Sequence, residues 1–247
     1  MVFDTVTIIA ILVAFALGGI LKGATGAGAP VVTIPVIAAF YDVRIAVIIM
    51  VVPNLLTNIG QLYQFRKTIL PSFFTVSFAL GGGIGAFIGT ILLANLSIKI
   101  LTLSVAFIVI IYILLKLIVP SWKLIYEKAT KLVFIMGAAG GVLQGAAGLS
   151  APISITFLNA MKLERNQFIP TISVYFGVMS IFQMPTLYYY DFLNFEIIAA
   201  SLISTVVLLS FMPLGSWVAK SVSKENFDKI TLILLAFIAL RIIYLNL

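Results

Sequence analysis

Residues 18–30 read GGILKGATGAGAP, and residues 140–152 read GGVLQGAAGLSAP. Eight of the thirteen positions are identical, including the two leading glycines and the closing Ala-Pro. The match continues at the same spacing of 122, which sets Asp42 against Glu164 and Gln61 against Gln183. Further on, GTILLANLS at 89–97 resembles GSWVAKSVS at 215–223, with the spacing grown to 126. The chain therefore reads as two related halves. Residues 1–120 form the first repeat and residues 131–247 the second, joined by a polar loop at 121–130 within one integral membrane domain.

The composition around the motif fixes the surroundings. Hydrophobic residues make up 62% of the 247, and charged residues 9%. A water-soluble domain carries roughly half and about a quarter respectively. So much apolar surface cannot be hidden in a fold of this size, which reads as an all-α polytopic membrane protein with the lipid bilayer as its main partner. Residues 1–17 lack a basic leading region and an A-x-A cleavage site, so a mature helix is expected there. The net charge of +7 sits in short loops beside apolar segments, as topology signals do, and points to no nucleic acid. There is no Cys and no His. Thiolate and imidazole chemistry is thereby excluded, and neither an enzyme, a cofactor nor a metal site is expected.

Long apolar segments fall at about 5–23, 45–63, 69–94, 100–119, 131–147, 167–189, 196–219 and 227–246. Two shorter ones, 29–40 and 151–161, follow the glycine stretches, and a spanning helix needs about 20 residues. Two topologies compete. If all eight long segments cross, the fourteen Lys and Arg outside the motif divide seven against seven, which gives no orientation. If each glycine stretch is instead the tip of a broken or re-entrant hairpin returning to its own side, each half keeps three crossings. Arg66, Lys67, Lys116, Lys123, Lys128, Lys131, Lys162, Arg165, Lys220, Lys224 and Lys229 then share one side, against Arg44, Lys99 and Arg241. Eleven against three is a strong positive-inside bias. It favours the hairpins, inverted repeats, a cytoplasmic central loop and both termini outside. The eight-span plan is the alternative.

The stretch itself predicts a helix break. Glycine is permissive, and Pro30 lacks a donor and restricts Ala29. Broken backbone at membrane depth survives only in protein or against a polar cavity. The break is expected in mid-membrane, with helices 29–40 and 151–161 starting at the tips. Two helix N-termini facing each other across a pseudo-two-fold axis would make an anion site. The tip residues Gly23, Thr25, Gly26, Ala27 and Gly28 and their counterparts Gly145, Gly148, Leu149 and Ser150 are its candidate substrate-binding residues.

Lys22 is the one ionisable residue well inside an apolar segment, and its counterpart is Gln144. A buried cation needs a partner or a cavity. All eight carboxylates lie in loops or at segment ends, which leaves an anion to fill that role. The same lack of buried acids leaves a Na+ or proton relay without its usual groups. Asn54, Asn58 and Gln61 share one helical face beside Thr57 and can wall a cavity. Ser173, Tyr175, Ser180 and Gln183 occupy the comparable span of the second half, with Gln61 and Gln183 as the symmetric pair. The GGGIGAFIG run at 81–89 reads as helix packing. Tyr188, Tyr189 and Tyr190 read as an interfacial aromatic belt.

The doubled pattern Gly19, Gly23, Gly26, Pro30 and Gly141, Gly145, Gly148, Pro152 resembles that of the TauE/SafE sulfite exporter family. So do the chain length and the polar central loop. The resemblance covers essentially the whole chain. It implies a bacterial inner-membrane carrier of sulfur-containing anions such as sulfite, thiosulfate, sulfoacetate or related organosulfonates, with export as the usual direction. By motif position it also implicates Gly23, Gly26, Gly145 and Gly148 at the substrate site. The expected function is alternating-access transport of such a small anionic substrate. The alternatives are an anion channel or an importer of a small organic or sulfur anion, and the assembly options include a homodimer.

Overall fold

The computed structural model describes residues 5–118, 123–221 and 224–246. Among the described residues all regular structure is helical. The helices are α1 (Thr5–Thr25), α2 (Ala29–Ala38), α3 (Val43–Phe65), α4 (Ser72–Asn95), α5 (Ile98–Ile118), α6 (Tyr126–Ala147), α7 (Ser154–Ala160), α8 (Arg165–Tyr189), α9 (Phe195–Ser221) and α10 (Lys224–Asn246). Among the described residues, seven of them (α1, α3, α4, α5, α6, α8 and α9) are long and apolar enough to cross a membrane. The segments read from the sequence match these helices closely, apart from α7.

Each half begins with a long helix that breaks at the glycine motif. In the first, Gly26 closes α1 by donating to Lys22 O at 2.7 Å and then takes φ +83. Gly28 follows at φ +94, a left-handed conformation that a side chain would disfavour, and α2 starts immediately after it. Pro30 is tolerated there because the first turn of a helix leaves its N–H unused. Thr33 Oγ1 then donates to Ala14 O, which lays α2 antiparallel along α1.

The second half departs from this plan. Gly148 turns left-handed at φ +70, but Ser150 stands where the first copy has Gly28. A turn held by Ser154 Oγ on Ser150 O and Oγ intervenes, and Pro152 falls within it. Consequently α7 starts only at Ser154 and runs for seven residues. The expected helix over 151–161 is corrected to this shorter one, which does not begin at the tip.

Glycines set the closest packing. Gly81, Gly85 and Gly89 of α4 lie against Phe134, Ala138 and Val142 of α6, while Gly137, Gly141 and Gly145 of α6 lie against Phe78, Gly82 and Ala86 of α4. Positions rise together along both helices, so α4 and α6 run parallel with backbones nearly touching. The reading of 81–89 as a packing stripe holds. On the other flank, Gly19 and Gly23 of α1 meet Leu208 and Met212 of α9, and Gly215 meets Ile20, again in parallel.

Between these two pairs lie α3 and α8. Asn54 Nδ2 donates to Ser180 Oγ at 3.2 Å, and Thr68, just past α3, donates to Asn166 O. One position rises as the other falls, so α3 and α8 run antiparallel. Exchanging the halves turns the α4–α6 contact into α9–α1 and the α4–α8 contact into α9–α3, and returns α3–α8 and α5–α10 to themselves.

The two ends of the bundle differ in charge. Arg44 donates to Leu93 O and Leu96 O at the end of α4, and Arg241 to Ala39 O at the end of α2. Lys99 begins α5 at this same end. The opposite end, where Thr68 meets Asn166 and Leu124 meets Ala160, carries Arg66, Lys67, Lys116, Lys123, Lys128, Lys131, Lys162 and Arg165.

Candidate functional site

The two tips do not come together. A side chain at Gly26 would collide with Ile169, near the start of α8, whereas one at Gly148 would meet Ile34 and Val47, near the start of α3. Ile169 and Val47 are themselves counterparts at the spacing of 122, so the two tips make equivalent contacts. But α3 and α8 run in opposite directions, so Val47 is level with residue 187 of α8. The tips are then about 18 residues, or roughly 27 Å of helix, apart. The expected facing pair of helix N-termini in mid-membrane is corrected on both counts: the breaks lie toward opposite ends, and the second half offers only the seven-residue α7.

What the structure does bring together is the polar wall and Lys22. The lysine is 1% exposed, and its Nζ donates to Asn58 Oδ1 at 2.9 Å. Asn58 Nδ2 donates to Asn54 O at 2.6 Å and to Asn54 Oδ1 at 2.9 Å. Asn54 Nδ2 passes the chain to Ser180 Oγ, which donates in turn to Phe176 O at 3.1 Å. The Phe176 ring lies 6.0 Å from Nζ. Helices α1, α3 and α8 thus share one directed hydrogen-bond chain in which every carbonyl is turned toward a donor. Its head is an ammonium with three donors, one of them used among the described residues. Lys22 forms no ion pair among the described residues.

Gln61 and Gln183 flank this centre on opposite sides. On the register set by Asn54 and Ser180, Gln61 lies level with Ser173, and Gln183 lies level with Val51. The glutamines are therefore about 15 Å apart along the seam. Gln61 Oε1, Ser173 Oγ and both amide atoms of Gln183 are buried without a hydrogen-bond partner. Buried polar groups are normally satisfied, so these mark places for water or a polar ligand.

The other expected site residues have different duties. Tyr175 is stacked on Phe78 at 4.0 Å between ring centroids, and its hydroxyl donates to Gly137 O. It is packing between α4, α6 and α8, not cavity wall. Gln144 Oε1 accepts from Ser150 N at 3.3 Å, an intra-tip bond that Lys22 does not copy. Leu149 N donates to Leu143 O and is buried. Gly145 is a contact of α6 on α4. Gly23 packs on Met212, and its carbonyl accepts from Arg165 Nη2 and from Ser216 Oγ, each at 3.0 Å. Thr25, Ala27 and Gly28 line a cavity of about 340 Å³ at the basic end of the bundle, together with Lys116, Asn159, Arg165 and Phe168. Thr25 Oγ1 is held by Leu21 O and Ala27 O.

In the sequence Lys116 and Arg165 read only as topology signals, and Asn159 carried no role. A loop charge and a cavity charge look alike in one sequence, and only the meeting of the first tip, the end of α5, the end of α7 and the start of α8 at one end of the bundle assembles them.

A lysine-headed polar seam runs inside an apolar helical bundle with related halves and doubled glycine breaks. Residues 10–242 match the family described as Sulfite exporter TauE/SafE. The chain belongs to this family. The match spans nearly the whole protein, so the two halves, both tips and the seam all fall within it. TauE/SafE proteins are membrane transporters. Neither the curated proteins nor the solved structures contain a match to the chain.

Proposed function

We propose that the protein is a carrier of small sulfur-containing anions, with sulfite and short organosulfonates such as sulfoacetate as the substrate class, and that it exports them by alternating access. The observation that carries this reading is Lys22, buried to 1% exposure with Asn58 Oδ1 as its hydrogen-bond partner. An unpaired ammonium at membrane depth is costly, and a bound anion lowers that cost while using the two remaining N–H donors. A sulfonate or sulfite group offers three oxygens, enough for Lys22 and for neutral donors along the seam. The binding centre in this reading is the Lys22–Asn58–Asn54–Ser180 chain, not the tips.

The antiparallel run of α3 and α8 supports inverted repeats, with α1–α2 and α6–α7 as hairpins. The parallel pairs α1–α9 and α4–α6 each join helices of both halves. They are the stiff bodies that rock about the α3–α8 seam, which exposes Gln61 and Gln183 in turn. The positive-inside rule assigns the basic end to the cytoplasm of a bacterial inner membrane.

Counterflow is the test. Proteoliposomes preloaded with unlabelled sulfoacetate should accumulate labelled sulfoacetate transiently, with saturation as the outside concentration rises. Flux that never saturates and shows no counterflow contradicts a carrier and indicates a channel.

A further inference from the structure

The cavity of about 340 Å³ at the basic end is separate from the Lys22 chain. Water occupies about 30 Å³ in the liquid, so the space holds on the order of ten waters, or one small oxyanion with part of its hydration shell. Its polar lining among the described residues comes from five elements: Thr25 at the first tip, Tyr112 and Lys116 late in α5, Asn159 of α7, Arg165 at the start of α8 and Thr231 of α10. Arg165 spends one N–H on Gly23 O, and a guanidinium has five.

The halves differ most at this place. At the spacings of 122 and 126, Thr25 matches Ala147, Asn159 matches Ile37, Arg165 matches Val43, Lys116 matches Ile242, Tyr112 matches Ile238 and Thr231 matches Val105. Every polar or charged lining group has an apolar counterpart. Those counterparts are closed off: Ala147, Ile37 and Ile242 are each 1% exposed and Val43 0%, whereas Thr25, Asn159 and Arg165 are exposed. One end of the bundle is open and carries Lys116 and Arg165 among its described lining residues, and the related region is shut and apolar. A sequence that merely needed charges in loops had no reason to gather two of them, with four neutral hydrogen-bonding groups, around one space.

We propose that this cavity is a second anion site, a loading vestibule in which Arg165 and Lys116 hold a sulfonate or sulfite group before it reaches Lys22. The inference rests on the carrier reading for its role, but its binding is testable without transport. The chain has no cysteine, so Asn159→Cys places a single thiol on the vestibule wall. In phosphatidylcholine nanodiscs, sulfoacetate should protect that thiol from a charged maleimide. Lys116→Gln and Arg165→Gln should each raise the half-protecting concentration at least tenfold, and Lys22→Gln should leave it unchanged. Lys116→Gln carries the test by itself if Arg165→Gln loosens the tip at Gly23. Protection that is absent, or that vanishes in Lys22→Gln and survives both vestibule variants, overturns the proposal. Protection by phosphatidylglycerol that sulfoacetate cannot displace also overturns it, because the cationic pair would then serve a lipid phosphate. Saturable protection in a protein that moves no sulfoacetate keeps the vestibule and removes the carrier.

Discussion

Lys22 Nζ donates to Asn58 Oδ1 at 2.9 Å, a bond between two buried side chains on α1 and α3. Asn58 can present its oxygen to the lysine because its amide nitrogen is fixed on Asn54. The ammonium is thus positioned by a neutral group, and no acid among the described residues cancels its charge. That is the arrangement expected of a site that must attract an anion and still release it.

Asn58→Leu removes the acceptor and leaves the lysine and the Asn54 side-chain oxygen without their partner. A buried group left unsatisfied costs about 1–3 kcal/mol. The variant should melt at lower temperature in detergent and carry much less sulfoacetate than the parent. Asn54→Leu keeps the Lys22 bond and should be milder in melting. Equal losses in the two would argue against the directed chain.

The register of α3 and α8 can be read by cross-linking. Thr68→Cys with Asn166→Cys should join efficiently with a short bifunctional thiol reagent, since Thr68 Oγ1 reaches Asn166 O. Thr68→Cys with Tyr190→Cys pairs positions equivalent in the two halves and should not join. The opposite pattern fits the eight-span plan with parallel repeats.

Glycines divide into those that permit contact and those that do not. A Cβ at Gly85 or Gly141 would drive into the facing backbone of α6 or α4, so Gly85→Val and Gly141→Val should prevent stable folding or cut expression severely. At Gly60 and Gly177 an added methyl would have no neighbour within 4 Å. Alanine there should raise helix stability by about 0.5–1 kcal/mol, visible as a higher melting temperature.

Gly28→Ala tests the first tip by a different mechanism. Space is adequate, with Leu21 no nearer than 3.5 Å, but φ +94 strains any side chain. A cost of about 1–2 kcal/mol is expected from the left-handed conformation. Hydrogen exchange at the start of α2 should rise while the α4–α6 core stays protected.

Much of this was legible in the residues. The doubled glycine stretch and its spacing located both breaks, the short helix after the first, and the equivalence of Gln61 with Gln183. Lys22 stood out as the one ionisable residue well inside an apolar segment, and the absence of buried acids pointed it to an anion. What the repeat could not convey was direction. In antiparallel repeats equivalent positions meet only at the axis and diverge away from it, so Gly26 and Gly148 land near opposite ends while Asn54 and Ser180 touch in the middle. The loss of glycine at Ser150 shortened α7, an effect of one φ angle that the shared Ala-Pro concealed. Tyr175 lay within the polar span, but its ring is claimed by Phe78, a contact between α8 and α4 that no local pattern announces.

The most direct measurement is sulfoacetate flux through purified Lys22→Gln in proteoliposomes, beside the parent and Lys22→Arg, with insertion checked by protease protection. Lys22→Gln should insert normally and carry essentially nothing, while Lys22→Arg, which keeps the charge in a larger head, should retain a measurable fraction. Parental flux in Lys22→Gln would contradict the assignment of Lys22 as the group that holds the anion.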